Sequence, residues 1–385
     1  MTGASDPVAL AERLIACESV TPARGAVFDA LEAMVAPLGF EVHRFIAGEG
    51  AAAVENCLAI RRGPAGSKHF AFAGHLDVVP AGEGWSSGPF VPVRKPTPGG
   101  ELLYGRGAVD MKGSIAAMVA AAADIPAEAG TFSFIITGDE EGPAIHGTRA
   151  LIDLVRERGE VPDLILVGEP TCVARLGDMI KIGRRGSVNV WLTVEGREGH
   201  VAYPHRADNP IPRLVAMLGE LDALSLDEGT EWFQPSNIEI TELEVGNPAH
   251  NVIPPRALAR ISIRFNDLHT GAGLARLVGA IAEKHGGRAE PVVSGEAFLT
   301  DPGEFSRLLA AAIEAETGIT PELSTSGGTS DSRFLKDLAP VIDFGPVNAT
   351  MHKRDEAIAI DDLRALSRIY GRVALAALSA QSRPA

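Results

Sequence analysis

The sequence predicts an α/β fold, a helix-flanked central mixed sheet, interrupted by an inserted α+β unit. Three observations carry that expectation. Short apolar runs alternate with amphipathic helical patterns through the opening part of the chain, which is α/β order. Several of those runs, FSFIIT and LILV among them, are apolar on consecutive residues, as in strands covered on both faces. After Arg185 the order changes to strand, helix, strand, strand, helix, strand, and from Leu299 the α/β style resumes.

Leu10, Leu14 and Ile15, then Phe28, Leu31, Val35 and Leu38, have helical spacing and open the chain with two helices, the second stopped by Gly39. The runs CLAI, HFAFAGHLDVV, TFSFIITGDEE and DLILVGEP follow as strands, separated by an Ala-rich helix after Lys112 and a helix from Thr148. PTPGG at 96 to 100 reads as a Pro/Gly loop. In the inserted unit, SVNVWLTVEG, SNIEITELEV, ALARISIRFN and AEPVVSG are the strands, and the helices lie near 209–224 and 273–285. This βαββαβ order predicts a four-stranded antiparallel, ferredoxin-like sheet with both helices on one face. A helix after Pro302, the loop STSGGTSD, the strand APVIDFGP and a helix from Ile360 complete the chain. At 385 residues the chain exceeds what one core usually fills. The expected division is a discontinuous domain of residues 1–185 and 299–385, with 186–298 inserted.

A content of 45% hydrophobic and 22% charged residues excludes a mainly disordered chain. A net charge of −15 argues against a nucleic-acid or anionic-membrane surface. The most apolar stretch, 115–123, is too short to span a bilayer, and the start MTGASDPVALAERL lacks a secretory pattern. Cys17, Cys57 and Cys172 have no metal or redox spacing, which fits a reducing cytoplasm.

The chemistry-bearing residues stand where apolar runs end. In GHLDVVP, His75 and Asp77 lie two apart, so on a strand they share a face and the carboxylate can brace the second imidazole nitrogen. A buried His–Asp hydrogen bond explains that segment equally well. YGRGAVDMKGS sets Asp110 before a helix, where an N-cap is the ordinary role; the glycines match neither nucleotide-loop pattern. TGDEEG holds Glu140 and Glu141 at a strand exit, VGEP adds Glu169, and NATMHKRDE adds His352. Two acids side by side are usually solvated, but a hydrolytic metal site needs one carboxylate bound and another free to take a proton from water. Carboxylates and imidazoles with little thiolate favour zinc first, then cobalt or manganese. His43, His69, His146, His250, His269 and His285 are left to structural roles, and His205 stays open. A basic cluster, Lys181, Arg184 and Arg185, with Thr329, Ser330 and Asn348, fits a substrate carboxylate; a solvated loop is the alternative.

GHLDVVP, YGRGAVDMKGS, TGDEEG, VGEP and MHK, in that order across nearly the whole chain, resemble the M20 family of dinuclear zinc metallopeptidases and deacylases. GRRGS, GHVAYPH, HNVIPP, SGGTSDSRF and FGPVNATMHK narrow the resemblance to members whose acyl group ends in a carboxylate. The resemblance implies two zinc ions per subunit, with cobalt able to substitute. His75 and Glu169 hold one, Glu141 and His352 the other, and Asp110 bridges them. It also implies that Asp77 orients His75, that Glu140 is the general base, and that the inserted unit is a lid through which a homodimer forms. His200 then reaches the site of the partner subunit. Arg184, Thr329 and Asn348 match positions holding the acyl carboxylate, with Arg185 an alternative to Arg184, and Tyr203, Asn251 and Arg264 match further substrate-side positions. Leu76 and the GPAIHGT loop depart from the pattern without touching a ligand.

Overall fold

The computed structural model describes residues 5–379. By internal contacts the chain divides into two compact units, one of 1–182, 300–324 and 330–385, the other of 183–299 and 325–329.

The first unit is built on an eight-stranded mixed sheet. Its strands, in spatial order, are Glu41–Ala47, Val54–Arg61, Thr131–Thr137, His69–His75, Leu164–Val167, Val341–Asp343, Met179–Lys181 and Glu322–Ser324. The strand 69–75 runs parallel to both neighbours, pairing His75 with Thr137 and Ala73 with Val167. Those three strands therefore end at one edge of the sheet, where open α/β sheets collect their functional groups.

Phe70, Phe72, Phe132 and Phe134 lie on adjacent strands and meet in edge-on contacts, with Tyr370 of the helix Ile360–Ser379 against Phe72. The helix Lys112–Ala123 is buried along nearly all its length, so its sequence is apolar around its circumference instead of on one stripe.

The segment 96–100 is not a free loop. Val93–Thr97 and Gly100–Tyr104 form an antiparallel hairpin, with Gly100 at φ +120° in its turn, and Ala357–Ala359 adds a third strand. Both hairpin strands are largely exposed, so apolar runs do not mark them.

In the second unit the strands Gly186–Glu195, Asn237–Glu244, Arg256–Phe265 and Arg288–Gly295 form an antiparallel sheet in the order 237–244, 256–265, 186–195, 288–295. Val188, Val190, Leu192 and Val194 alternate inward and pack with Leu214, Met217 and Leu221 of the helix Pro210–Asp222 and Leu274 and Val278 of the helix Gly271–Lys284. Asp227 ties the loop before the second strand to the rest: its carboxylate accepts from Gly229 N at 2.8 Å and Asn266 Nδ2 at 2.6 Å, and contacts His269 Nε2 at 3.0 Å.

Candidate metal centre

His75 is the last residue of its strand; Glu140 and Glu141 follow the strand ending at Thr137, and Glu169 follows the one ending at Val167. Gly138 makes that second exit possible, because a Cβ there would lie 2.5 Å from the Ala23 carbonyl oxygen. Asp110 comes from the loop before the helix 112–123, and its peptide bond to Met111 is cis. His352 sits in a turn, at φ +60°, and its side chain is 43% exposed, which leaves the cluster open on that side.

The two imidazoles face Asp110 from opposite sides. His75 Nε2 is 3.1 Å from Asp110 Oδ1 and His352 Nε2 is 3.1 Å from Asp110 Oδ2. His352 Nε2 also lies 2.9 Å from Glu141 Oε1, and His75 Nε2 lies 3.7 Å from Glu169 Oε1. Potential ligand atoms within 4.8 Å of one another thus form two triads that share Asp110: His75, Asp110, Glu169 and Asp110, Glu141, His352. A third triad, His75, Glu140 and Glu141, brings Glu140 into the same cluster.

Nδ1 of His75 donates to the Asp77 carbonyl oxygen at 2.9 Å, which fixes the tautomer and turns the Nε2 lone pair toward Asp110. The Asp77 carboxylate does not brace the imidazole as its spacing predicted. The strand ends at His75, so the two residues do not share a pleated face, and the nearest carboxylate oxygen stands 3.6 Å from Nδ1. Instead Asp77 Oδ1 accepts from Glu140 N at 3.2 Å and Oδ2 from Glu141 N at 3.0 Å. Asp77 therefore holds His75 through its backbone and the Glu140–Glu141 segment through its side chain.

The electrostatics match a cation site. Burial opposes the charge on His75, but Asp110, Asp77 and Glu169 outweigh it and raise its pKa well above the imidazole range. Asp110 and Glu141 push His352 up to about 10. Burial opposes ionisation of Asp110, yet His352 and His75 hold its carboxyl below the usual range. Burial, reinforced by neighbouring carboxylates, raises Glu140 and Glu169 well above theirs. Asp77 is pushed up to about 6 by burial. Glu169 Oε1 is buried without a hydrogen-bond partner, an acceptor that a cation would satisfy. One carboxylate shared by two triads, two imidazoles and two further carboxylates form a donor set that suits borderline divalent ions.

The remaining predicted residues fall in two places. Asn348 belongs to the first unit, its N–H donating to the Cys172 carbonyl at 2.9 Å. Arg184 and Thr329 belong to the second, where buried Arg184 donates from Nη1 to the Gly328 carbonyl at 2.8 Å. Arg185 donates to Asn237 Oδ1 at 3.0 Å, so it serves the sheet, while Arg184 sits beside the 325–329 segment. Arg264 donates to Ser187 Oγ and, at 2.9 Å, to Ser262 Oγ. His200, Tyr203 and Asn251 lie together and exposed: the rings of His200 and Tyr203 are 5.8 Å apart, and Val201 N donates to the Asn251 carbonyl at 3.1 Å. His200 Nδ1 accepts from Ala202 N at 3.1 Å, so the neutral imidazole carries its proton on Nε2 and offers a donor.

Residues 71–376 match peptidase family M20/M25/M40. The chain belongs to peptidase family M20. Within that family it is 70% identical to a protein of Novosphingobium aromaticivorans named succinyl-diaminopimelate desuccinylase, over 97% of this chain and 99% of that one. A protein of Erythrobacter litoralis with the same name is 69% identical over 96% and 98% of the two chains. The fold is that of solved M20 structures. A tripeptidase from Staphylococcus aureus superposes with a TM-score of 0.77 at 17% identity, covering 97% of this chain and 98% of that one. A dinuclear metal-binding M20 peptidase from Bacillus subtilis gives 0.69 at 16% identity over 97% and 98%.

Three residues near the centre escaped the sequence reading. Asp331 is buried and accepts from Thr148 Oγ1 at 2.5 Å, and its charge raises the proton affinity of Glu140. Arg106 and Glu356 form a buried ion pair at 2.8 Å behind Asp110. Their only sequence signal is proximity to Asp110 and His352, in GRGAVD and MHKRDE.

Proposed function

We propose that this M20 protein is a metal-dependent amidohydrolase that cleaves N-succinyl-L,L-2,6-diaminopimelate to succinate and L,L-2,6-diaminopimelate in lysine and diaminopimelate biosynthesis. The observation that carries the substrate is the 70% identity, over nearly the full length of both chains, to a protein named for that reaction. The clustered acids and histidines support the chemistry. In this reading His75, Asp110 and Glu169 would hold one zinc ion and Asp110, Glu141 and His352 a second, each replaceable by cobalt, and the ions would supply Lewis acidity for hydrolysis of the amide.

The side chains have separate jobs. Glu140 takes a proton from the attacking water and returns it to the amide nitrogen as the C–N bond breaks, so one water is consumed and succinate and a free amine leave. Glu140 lies in the cluster but in neither of the two triads that share Asp110, which leaves its carboxylate to accept a proton. Asp77 holds Glu140 and Glu141 in place from their backbone amides. His200 donates from Nε2 to the carbonyl oxygen as it gains charge, acting on the site of the partner subunit; a preorganised donor of this kind contributes about 2.7–4 kcal/mol. Arg184, Thr329 and Asn348 hold the succinyl carboxylate, and Tyr203, Asn251 and Arg264 line the substrate side. The first compact unit, expected at 1–185 and 299–385 and observed without 183–185, 299 and 325–329, is the catalytic domain. Residues 186–298 form a ferredoxin-like lid and dimerisation domain, whose sheet order of second, third, first and fourth strand supports the assignment. In this reading the protein works as a homodimer in the cytoplasm, without nucleic acid or membrane.

A comparison of kcat/KM for N-succinyl-L,L-diaminopimelate and N-acetylornithine under saturating zinc tests the substrate. The succinyl carboxylate offers Arg184, Thr329 and Asn348 a charged acceptor that an acetyl group lacks, so a preference of about 10²-fold or more for the succinyl substrate is expected. Faster turnover of acetylornithine would overturn the proposal.

A further inference from the structure

Glu356 is fully buried, and every acceptor position facing the loop that carries Asp110 is used. Its Oε1 accepts from Val109 N at 2.8 Å and from Asp110 N itself at 3.0 Å. Its Oε2 accepts from Gly107 N at 3.1 Å and from Arg106 Nη1 at 2.8 Å. Its backbone carbonyl takes a fifth donor, Gly105 N, at 2.9 Å. Residues 105–110 are thus wrapped around one carboxylate.

The same carboxylate stands four residues after His352. Thr350 Oγ1 closes that turn, donating to the Ala357 carbonyl at 3.0 Å and accepting from Ala357 N at 3.1 Å. Arg106 Nη1 also reaches the Lys353 carbonyl at 3.2 Å. Two loops separated by more than two hundred residues in sequence are therefore fastened together at Glu356, one carrying Asp110 and the other His352. Burying an ion pair is a poor route to stability, since apolar packing of the same volume serves as well or better. What the pair supplies is position: a charged acceptor bonded to three successive-loop amides fixes the root of the Asp110 side chain, whose two oxygens must each meet a different imidazole.

We infer that Glu356 is a positioning residue for the metal centre, setting the bridging carboxylate of Asp110 against His352 with Arg106 as its counter-ion. The inference rests on the two-metal reading of the site given above. Glu356→Gln keeps the shape but has a single acceptor oxygen, so its NH2 group must face either Arg106 and Gly107 or Val109 and Asp110. Glu356→Asp keeps the charge and the pair with Arg106 but withdraws the oxygens by one methylene, and serves where the amide variant does not fold.

The test is equilibrium competition for zinc against a chelating dye on folded wild type, Glu356→Gln, Glu356→Asp and Asp110→Asn, with kcat and melting temperature in parallel. Wild type binding two equivalents, with at least one weakened about 10- to 100-fold in the Glu356 variants and kcat lowered more than KM is raised, supports the inference. Glu356 variants that melt earlier but bind both ions with wild-type affinity and turn over at the wild-type rate overturn it, since the carboxylate would then serve stability alone. Wild type and Asp110→Asn binding zinc alike would instead sink the two-metal reading beneath it.

Discussion

Replacing Asp77 with Asn removes one negative charge and one acceptor while keeping the shape of a fully buried side chain. The carboxylate accepts from Glu140 N at 3.2 Å and Glu141 N at 3.0 Å; the amide can accept only one, and presents its NH2 group to the other. Losing a hydrogen bond to a charged acceptor costs about 1.5–3 kcal/mol. Independently, loss of a supporting partner behind a metal ligand weakens metal binding by about 10–100-fold, or roughly 1.4–2.7 kcal/mol. The two ranges overlap near about 2 kcal/mol, so zinc affinity should fall by about 30-fold. Because the 140–141 backbone carries the proposed base and a proposed ligand, kcat should also stay about 10- to 100-fold low once zinc is restored to saturation. The assay is a zinc titration of succinyl-diaminopimelate hydrolysis by each protein. An Asp77→Asn enzyme that regains wild-type kcat at high zinc would show that the Asp77 side chain has no part in holding the 140–141 segment for catalysis.

Glu140→Gln should retain both metal ions while kcat falls by about 10²–10⁴, and near-wild-type turnover with full metal occupancy would remove Glu140 from the role of base. His200→Ala should lower kcat more than it raises KM, since in its proposed role the donor acts on charge that develops during reaction; the reverse pattern would place it in substrate binding. Asp227 governs a separate property. Burial raises its pKa, but hydrogen bonds from Ser236, Gly229 and Asn266 outweigh that and bring it from 3.8 to about 2. A folded-state pKa below the unfolded one contributes stability that is complete above about pH 4 and disappears as pH falls toward 2; allowing for solvent screening it is about 1–2 kcal/mol. Urea unfolding of wild type and Asp227→Asn should show that gap at pH 6 and its narrowing on acidification, and a gap independent of pH would show that the carboxylate charge contributes nothing.

The strand ends were legible because His75, Glu140, Glu141 and Glu169 each follow a run buried on both faces, and a parallel sheet brings such ends to one edge. The job of Asp77 was not, because its partners are backbone amides sixty-three and sixty-four residues away and a backbone amide leaves no trace in residue type. Glu356 was hidden for a related reason: in MHKRDE it stands among charged residues that read as surface, yet it is the one fully buried. The hairpin 93–104 was lost because its strands face solvent and its proline and glycines look like loop chemistry, which at Gly100 they are. The strand 41–47 is an edge with half-exposed residues and charges, so it too lacks an apolar run.

Stripping the protein with a chelator and titrating zinc back tests whether His75, Asp110, Glu141, Glu169 and His352 form a two-metal hydrolytic centre. The stripped protein should hydrolyse succinyl-diaminopimelate negligibly, and its activity should recover to a level reached at two equivalents of zinc per chain. Full turnover by the stripped protein, or recovery complete at one equivalent, would contradict the two-metal reading.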